Sequence, residues 1–195
     1  MTATATPPAG KTRHLPGEAG IWVFVLGDMI IFALFFAVFT YYRGENPALF
    51  MESQTKLNQN YAAINTIFLL TSSWFVVMAV HAAKQRLGQY VRPLIGAAWL
   101  CGLGFAVVKV IEYSEKISHG ITLTTNDFFM YYYVFTGIHF MHLLIGMAVL
   151  TFLWFKTGNC EYNQGDITTI ESGATFWHMV DLLWIVLFPL IYLMK

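Results

Sequence analysis

Seven ionisable side chains interrupt the long apolar stretches of this sequence, and their spacing indicates what chemistry they could do. They are Asp28 and three pairs whose members are three positions apart: Lys109 and Glu112, His139 and His142, His178 and Asp181. Positions three apart lie on one face of a helix, so each pair can form a local contact that faces the interior of a bundle, and His178 with Asp181 is predicted to form one buried hydrogen-bonded unit. An ionisable group inside an apolar helix is costly, which makes each of them a candidate for a partner or a function.

The three histidines suggest metal or haem ligation, because neutral imidazole is the commonest nitrogen ligand. The concrete form of this hypothesis is a free-standing b-type haem protein that uses His178 with His139 or His142. Two histidines on one helix are too few for a closed metal site, and no Cys or Glu joins them there. Buried polar groups are more often structural groups with satisfied hydrogen bonds, so the sequence favours a chain that binds no haem and no metal.

Asp28 follows Gly27 in a stretch that has no other charge, and two interpretations of it stay open. Loss of water around a carboxyl group favours its neutral form, so Asp28 could hold or relay a proton. A small proton-coupled transporter built around Asp28 would use the same property. The alternative is a hydrogen bond from Asp28 to a neighbouring helix.

Lys109 and Glu112 lie near the end of an apolar run. A lysine there can extend its ammonium group to the interface and a glutamate can reach water, so we expect an interfacial salt bridge. Aromatic residues close to the ends of the runs, among them Tyr192 and the tyrosine triplet 131–133, are typical of anchors at a membrane interface.

The composition indicates which elements must position these residues. Of the 195 residues, 57% are apolar and only 11% are charged, against about a quarter in soluble domains. About 20 helical residues cross a bilayer, and five apolar runs have that length: 21–42, 62–83, 93–115, 128–155 and 173–194. Lipid-facing backbone must be hydrogen-bonded internally, so each run is predicted to be a helix. The fold class is therefore all-α, an integral membrane bundle of five transmembrane helices.

The loops indicate how the bundle is oriented. Residues 1–19 have no apolar core that could serve as a signal peptide and are interpreted as a cytoplasmic amino-terminal tail, followed by one five-helix domain over 20–195. With the amino terminus inside, six basic residues face the cytoplasm and four face the other side, which favours a cytoplasmic amino terminus and an external carboxyl terminus.

Charge and cysteine content exclude other classes of partner and site. Eleven basic residues balance eleven acidic ones, so no basic field exists to bind nucleic acid. Cys101 in an apolar run and Cys160 in a polar loop fit neither a disulfide framework nor a thiolate metal site.

Four segments carry a family resemblance. The segments 137–146 (GIHFMHLLIG) and 176–184 (FWHMVDLLW) resemble the last two helices of subunit III of the haem-copper oxidases. Upstream, 109–115 (KVIEYSE) is similar to a Glu-Tyr segment that closes an earlier helix of that family. The segment 27–32 (GDMIIF) resembles the helix in which many members place a buried Glu, so Asp28 is a departure from the usual residue.

The resemblance covers residues 18–194 and implies a five-span form found in bacterial inner membranes. Similar chains are the third subunits of cytochrome c and quinol oxidases and an accessory protein of nitric oxide reductase, and residues 16–22 favour the last branch. The resemblance implies a cofactor-free subunit that has no active site and packs against a catalytic subunit carrying haem with copper or iron. It further implies that the chain binds phospholipid and supports proton uptake and the durability of the active site.

Overall fold

The computed structural model describes residues 17–158 and 163–194 of the protein. The elements are α1 (Ala19–Glu45), α2 (Pro47–Thr55), α3 (Gln59–Lys84), α4 (Gly88–Ser118), α5 (Asp127–Lys156), α6 (Gln164–Phe188) and a π-helical turn, Pro189–Leu193, that continues α6. Five helices are long and apolar enough to cross a membrane: α1, α3, α4, α5 and the continuous unit of α6 and the π-helical turn. This confirms the predicted all-α bundle of five transmembrane helices.

The bounds of two spanning helices differ from the predicted runs. α6 begins at Gln164, before the predicted 173, because Asn163 and Asp166 form a capping box. Asn163 Oδ1 accepts from the Asp166 N–H at 2.9 Å, and Asp166 Oδ2 accepts from the Asn163 N–H at 3.2 Å. α4 begins at Gly88, before the predicted 93. Hydropathy detects the apolar part of a helix, so polar turns that extend beyond it are missed.

The short helix α2 also escapes a search for apolar runs, because it has only nine residues and includes several polar ones. Pro47 stands at its start, where a missing backbone N–H costs nothing. Residues 1–16 of the predicted tail, and Cys160, lie outside the described residues.

The core of the bundle lies among α3, α4, α5 and α6. Trp177 on α6 is fully buried between two glycines, Gly102 on α4 and Gly146 on α5. A Cβ atom added at Gly102 would come within 2.9 Å of the Trp177 ring, and one at Gly146 within 2.8 Å. The absence of these two side chains therefore lets three helices meet around one indole.

α1 is the most peripheral spanning helix, since 11% of its most apolar stretch is buried against 56% for the last span. It contacts α5 mainly through aromatic rings: Phe35 stacks on Phe135 at 5.8 Å between centroids, and Phe39 meets Tyr131 edge-on at 5.8 Å. At its start, the N–H of Gly17 donates to Glu171 Oε2 on α6 at 2.9 Å. α1 is therefore held at few points along its length.

Candidate functional site

The first polar site is a fully buried group of four side chains from α4, α5 and the π-helical turn, here named the Lys109 cluster: Lys109, Glu112, Tyr132 and Tyr192. Lys109 Nζ lies 2.9 Å from Glu112 Oε2 and also donates to the Tyr192 hydroxyl at 2.9 Å. The hydroxyls of Tyr132 and Tyr192 donate to Glu112 Oε1 at 2.9 and 2.7 Å. Both charges therefore have several partners inside the protein.

The predicted salt bridge between Lys109 and Glu112 is confirmed, but the prediction that the two side chains reach water is wrong, because both are fully buried inside the bundle. α4 continues to Ser118, so the pair lies well before the end of the helix. Two tyrosine hydroxyls replace the water that an interfacial pair would use, and Lys109 Nζ lies 5.0 Å from the centre of the Tyr132 ring. This combination of an opposite charge, hydroxyls and aromatic faces compensates the loss of water around the ammonium group.

Tyr132 and Tyr192 are the site residues that sequence reasoning misplaced, because both were interpreted as interface anchors and both are fully buried. The neighbouring Tyr133 donates its hydroxyl to the carbonyl of Ile121 in the loop before α5. Helical rotation separates the three tyrosines of the triplet by about 100° each, so their roles differ although their types do not. The helical spacing of the triplet was the available signal that only part of it could face the lipid.

The second polar site joins α1 to α5. Nε2 of His142 lies 3.2 Å from Oδ1 of Asp28, and Nδ1 of His142 lies 2.9 Å from the carbonyl oxygen of Ile138 one turn earlier. The edge of the His142 ring meets Phe32, with 5.8 Å between centroids. Of the two interpretations of Asp28, the contact with a neighbouring helix matches this geometry, and it leaves a role in proton binding open.

His139 lies on the same helix as His142 but has different neighbours. Its ring packs between Phe105 and Trp184, with centroids 5.7 and 5.2 Å away. His139 is fully buried, and neither of its ring nitrogens has a hydrogen-bond partner within the described residues. His139 and His142 thus lie on one face of α5 as predicted, but they have different neighbours. His142 contacts Asp28 on α1, whereas His139 packs against Phe105 and Trp184.

The third polar site contains His178 and Asp181 on α6. Nδ1 of His178 is hydrogen-bonded to Ser73 Oγ on α3 at 2.8 Å, whereas Asp181 Oδ2 lies 3.8 Å away, beyond hydrogen-bond range. Asp181 is buried, and among the residues that the structure describes neither of its carboxyl oxygens has a hydrogen-bond partner. The two residues lie on one face as predicted, but the prediction that they are hydrogen-bonded to each other is wrong, because the hydrogen bond of His178 goes to another helix.

No group of three or more His, Cys, Asp or Glu side chains that could hold a metal ion exists in residues 17–158 and 163–194. A cleft of about 570 Å³ lies between α1, α3 and α6, and another of the same volume lies between α4 and α5. Apolar side chains such as Trp22, Val25 and Val80 line the first of these clefts, and Lys84 with Glu171 borders it. Lys84 Nζ lies 2.7 Å from Glu171 Oε1, so an ion pair stands at one side of an otherwise mainly apolar cleft.

Comparisons with known proteins agree with this architecture. The family model described as cytochrome c oxidase subunit III matches residues 15–195. Cytochrome c oxidase subunit 3 of Synechocystis is 28% identical over 207 residues, which cover 100% of this chain and 88% of the relative. The corresponding protein of Thermostichus vulcanus is 30% identical over 176 residues, or 90% of this chain and 86% of the relative.

A quinol oxidase subunit is also similar: cytochrome bo(3) ubiquinol oxidase subunit 3 of Buchnera aphidicola is 25% identical over 174 residues, covering 89% of this chain and 84% of the relative. The family model extends over all five spanning helices, from before α1 to beyond the π-helical turn. The resemblance seen in the motifs of α1, α4, α5 and α6 is thereby confirmed. The chain belongs to the cytochrome c oxidase subunit III family.

Proposed function

We propose that the chain is a non-catalytic subunit of a bacterial respiratory haem-copper complex. It packs against the catalytic subunit, which carries haem with copper or iron, and has no active site of its own. The observation that carries this proposal is the match of the subunit III family model to residues 15–195, since the curated relatives are named as third subunits of oxidases.

The contacts of the buried charges support a non-catalytic role. Lys109 and Glu112 bond to each other and to two tyrosines, and His142 bonds to Asp28 and to the helix backbone. His178 bonds to Ser73. Side chains held in this way stabilise contacts between helices and are not arranged around a common reacting atom.

Copurification tests the proposal. The tagged chain is extracted from its native membranes in mild detergent, and the haem spectrum and the identity of the copurifying subunits are determined. We expect a haem-containing catalytic subunit in constant ratio to the chain, and no haem absorbance from the chain after its separation. A copurifying nitric oxide reductase would assign the chain to the accessory branch, and a haem spectrum from the isolated chain would contradict the proposal.

We further propose that a phospholipid binds in the cleft between α1, α3 and α6. The cleft volume of about 570 Å³ and its mainly apolar lining suit an acyl chain, and Trp22 and Lys84 are residue types that favour the headgroup region. Val80→Trp should fill the cleft and reduce the lipid that copurifies with the chain, measured by mass spectrometry. Ile67→Trp on the same helix is the control, because Ile67 is exposed and lies outside the cleft lining.

The proposed orientation places the amino terminus in the cytoplasm and the carboxyl terminus outside. The excess of basic residues on the amino-terminal side, six against four, supports it. Reporter fusions test it: an enzyme that is active only outside the cytoplasm should be active when fused after residue 195 and inactive when fused in the loop between α3 and α4. The opposite pattern would reverse the orientation.

A further inference from the structure

The contact between Asp28 and His142 joins the most peripheral spanning helix to α5, with 3.2 Å between Oδ1 and Nε2. We propose that Asp28 and His142 bind one proton as a single unit, and that the backbone of α5 fixes the nitrogen on which His142 carries its own hydrogen. The inference rests on the proposed function as a subunit of a respiratory complex, for which the family resemblance implies a role in proton uptake. It names His142 as the second residue that holds the proton.

The backbone contact determines the tautomer of His142. Nδ1 lies 2.9 Å from the carbonyl oxygen of Ile138, and a carbonyl oxygen can only accept a hydrogen bond. Nδ1 must therefore carry a hydrogen. A neutral imidazole has one N–H, so Nε2 of the neutral ring is a bare lone pair that points at Asp28.

Two arrangements then make a hydrogen bond across the 3.2 Å contact. In one, the carboxyl group is protonated and its O–H donates to Nε2 of the neutral ring. In the other, Nε2 carries the proton and the imidazolium donates to the carboxylate. Each form holds one proton in addition to the hydrogen on Nδ1, and each has no net charge. The proton can move between Oδ1 and Nε2 without a change in the charge of the pair.

Loss of this proton would leave the pair without a bond. A carboxylate oxygen would then face the lone pair of Nε2, and a charge would stay in a site where the Asp28 side chain is 12% exposed. The second carboxyl oxygen, Oδ2, is buried and has no hydrogen-bond partner in the described part of the chain. Within the same residues, no Lys or Arg lies within 4.0 Å of Asp28 to compensate the charge.

The unit also affects how α1 is held. Between α1 and α5 the other close contacts are aromatic rings, such as Phe35 on Phe135 and Phe39 on Tyr131. The contact between Asp28 and His142 is thus a polar link at one end of a row of aromatic contacts. Binding of the proton and seating of α1 on α5 therefore stabilise each other.

Solid-state nuclear magnetic resonance of the full-length chain in phospholipid bilayers tests the proposal at neutral pH. Isotope-labelled histidine and aspartate report which nitrogens carry hydrogen and whether the carboxyl group is ionised. We expect hydrogen on Nδ1 of His142, and a further proton on either Nε2 or the Asp28 carboxyl group. Bare Nδ1 would overturn the proposal, and so would ionised Asp28 beside a His142 that is protonated on Nδ1 alone.

Two variants assign the signals. His142→Gln removes the histidine signal, and Asp28→Asn removes the carboxyl signal while its amide donates to Nε2 and leaves the hydrogen on Nδ1. Asp181→Asn is the matched control and should leave both signals unchanged, because Asp181 lies beside His178. Wild-type spectra decide the outcome even if a variant fails to fold. These spectra need no partner subunit, so their result is independent of the copurification experiment.

Discussion

The Lys109 cluster and the contact between Asp28 and His142 meet the same physical problem in different ways. Both place ionisable groups inside an apolar bundle, where an unpaired charge is costly. Glu112 accepts from Lys109 and from two tyrosine hydroxyls, and every member of the cluster is fully buried. Among the described residues Asp28 has one polar partner, His142, and its second carboxyl oxygen has none. The Asp28 side chain also stays 12% exposed.

The difference separates a structural role from the role in proton binding that we propose for Asp28 and His142. In the Lys109 cluster the polar hydrogens of Lys109, Tyr132 and Tyr192 are shared among several hydrogen-bonded groups. Movement of one proton would therefore disturb hydrogen bonds that join α4, α5 and the π-helical turn. In the proposed unit, a single proton decides whether Asp28 and His142 are hydrogen-bonded across the 3.2 Å contact. Completeness of hydrogen bonding, and not the presence of charge alone, therefore distinguishes the two regions.

Removal of one charge from the Lys109 cluster should have the largest effect. Glu112→Ala leaves a buried ammonium group without its counter-charge and should lower the free energy of unfolding by about 3–5 kcal/mol. The double variant Lys109→Met with Glu112→Leu should recover much of this loss, because it removes both charges. Unfolding in mixed detergent, followed by circular dichroism, measures the effect. The exposed pair Lys56 and Glu52 gives the control, since Glu52→Ala should change stability little.

Asp28→Leu should have the next largest effect, because Nε2 of His142 loses its partner. An orphaned buried group costs about 1–3 kcal/mol, so the variant should unfold more easily by that amount. Asp28→Asn should stay close to the wild type, since its amide can donate to Nε2. The same detergent titration measures both variants. An equal loss of stability in Asp28→Leu and Asp28→Asn would contradict the geometry of the contact.

Asp181→Asn should lower the free energy of unfolding by at most about 1 kcal/mol, less than Glu112→Ala or Asp28→Leu. The reason is that within the described residues neither carboxyl oxygen of Asp181 makes a hydrogen bond that the substitution could remove. Thermal unfolding of the purified chain is a suitable measurement. A loss as large as that of Glu112→Ala would show that Asp181 has bonds comparable to those of the Lys109 cluster.

Asp28→Asn should have the smallest effect on assembly and a moderate effect on activity. The whole complex carrying this variant should assemble normally and show at most a lower turnover rate or faster inactivation, because the amide that replaces the carboxyl group can neither bind nor release a proton. Asp28→Glu should be well tolerated. The turnover and inactivation rates of the assembled complex measure both. A complete loss of turnover in an assembled Asp28→Asn complex would place the chemistry of the reaction in this chain.

The sequence predicts the spanning helices well because burial in lipid requires long apolar runs, and all five spans follow from length and hydropathy with only their ends misplaced. α6 starts earlier than its apolar run because of the capping box at Asn163, a local signal that a hydropathy search does not use. Likewise, helical spacing predicts that Lys109 and Glu112 meet, since three positions on one helix fix their relation.

Contacts between helices could not be predicted in the same way. The partner of His142 lies 114 positions earlier in the chain, and the partner of His178 is Ser73 on another helix. Such pairs depend on the rotation of each helix about its axis, which hydropathy leaves open when most of the surface is apolar. The burial of Tyr132 and Tyr192 was missed for the same reason.

The π-helical turn at 189–193 has a consequence for the tolerance of α6 to insertions and deletions. One extra residue in a helix rotates everything after it by about 100°, and the wider π turn absorbs such a residue. Tyr192 thereby lies over the same face as Trp184, with 6.4 Å between ring centroids, and reaches Lys109. Shortening the chain by one residue inside this turn would convert it to α-helix and keep Tyr192 in place. If one residue were deleted between Trp184 and the π-helical turn instead, the turn itself would stay intact. Tyr192 would then rotate towards the lipid and leave its position in the Lys109 cluster empty.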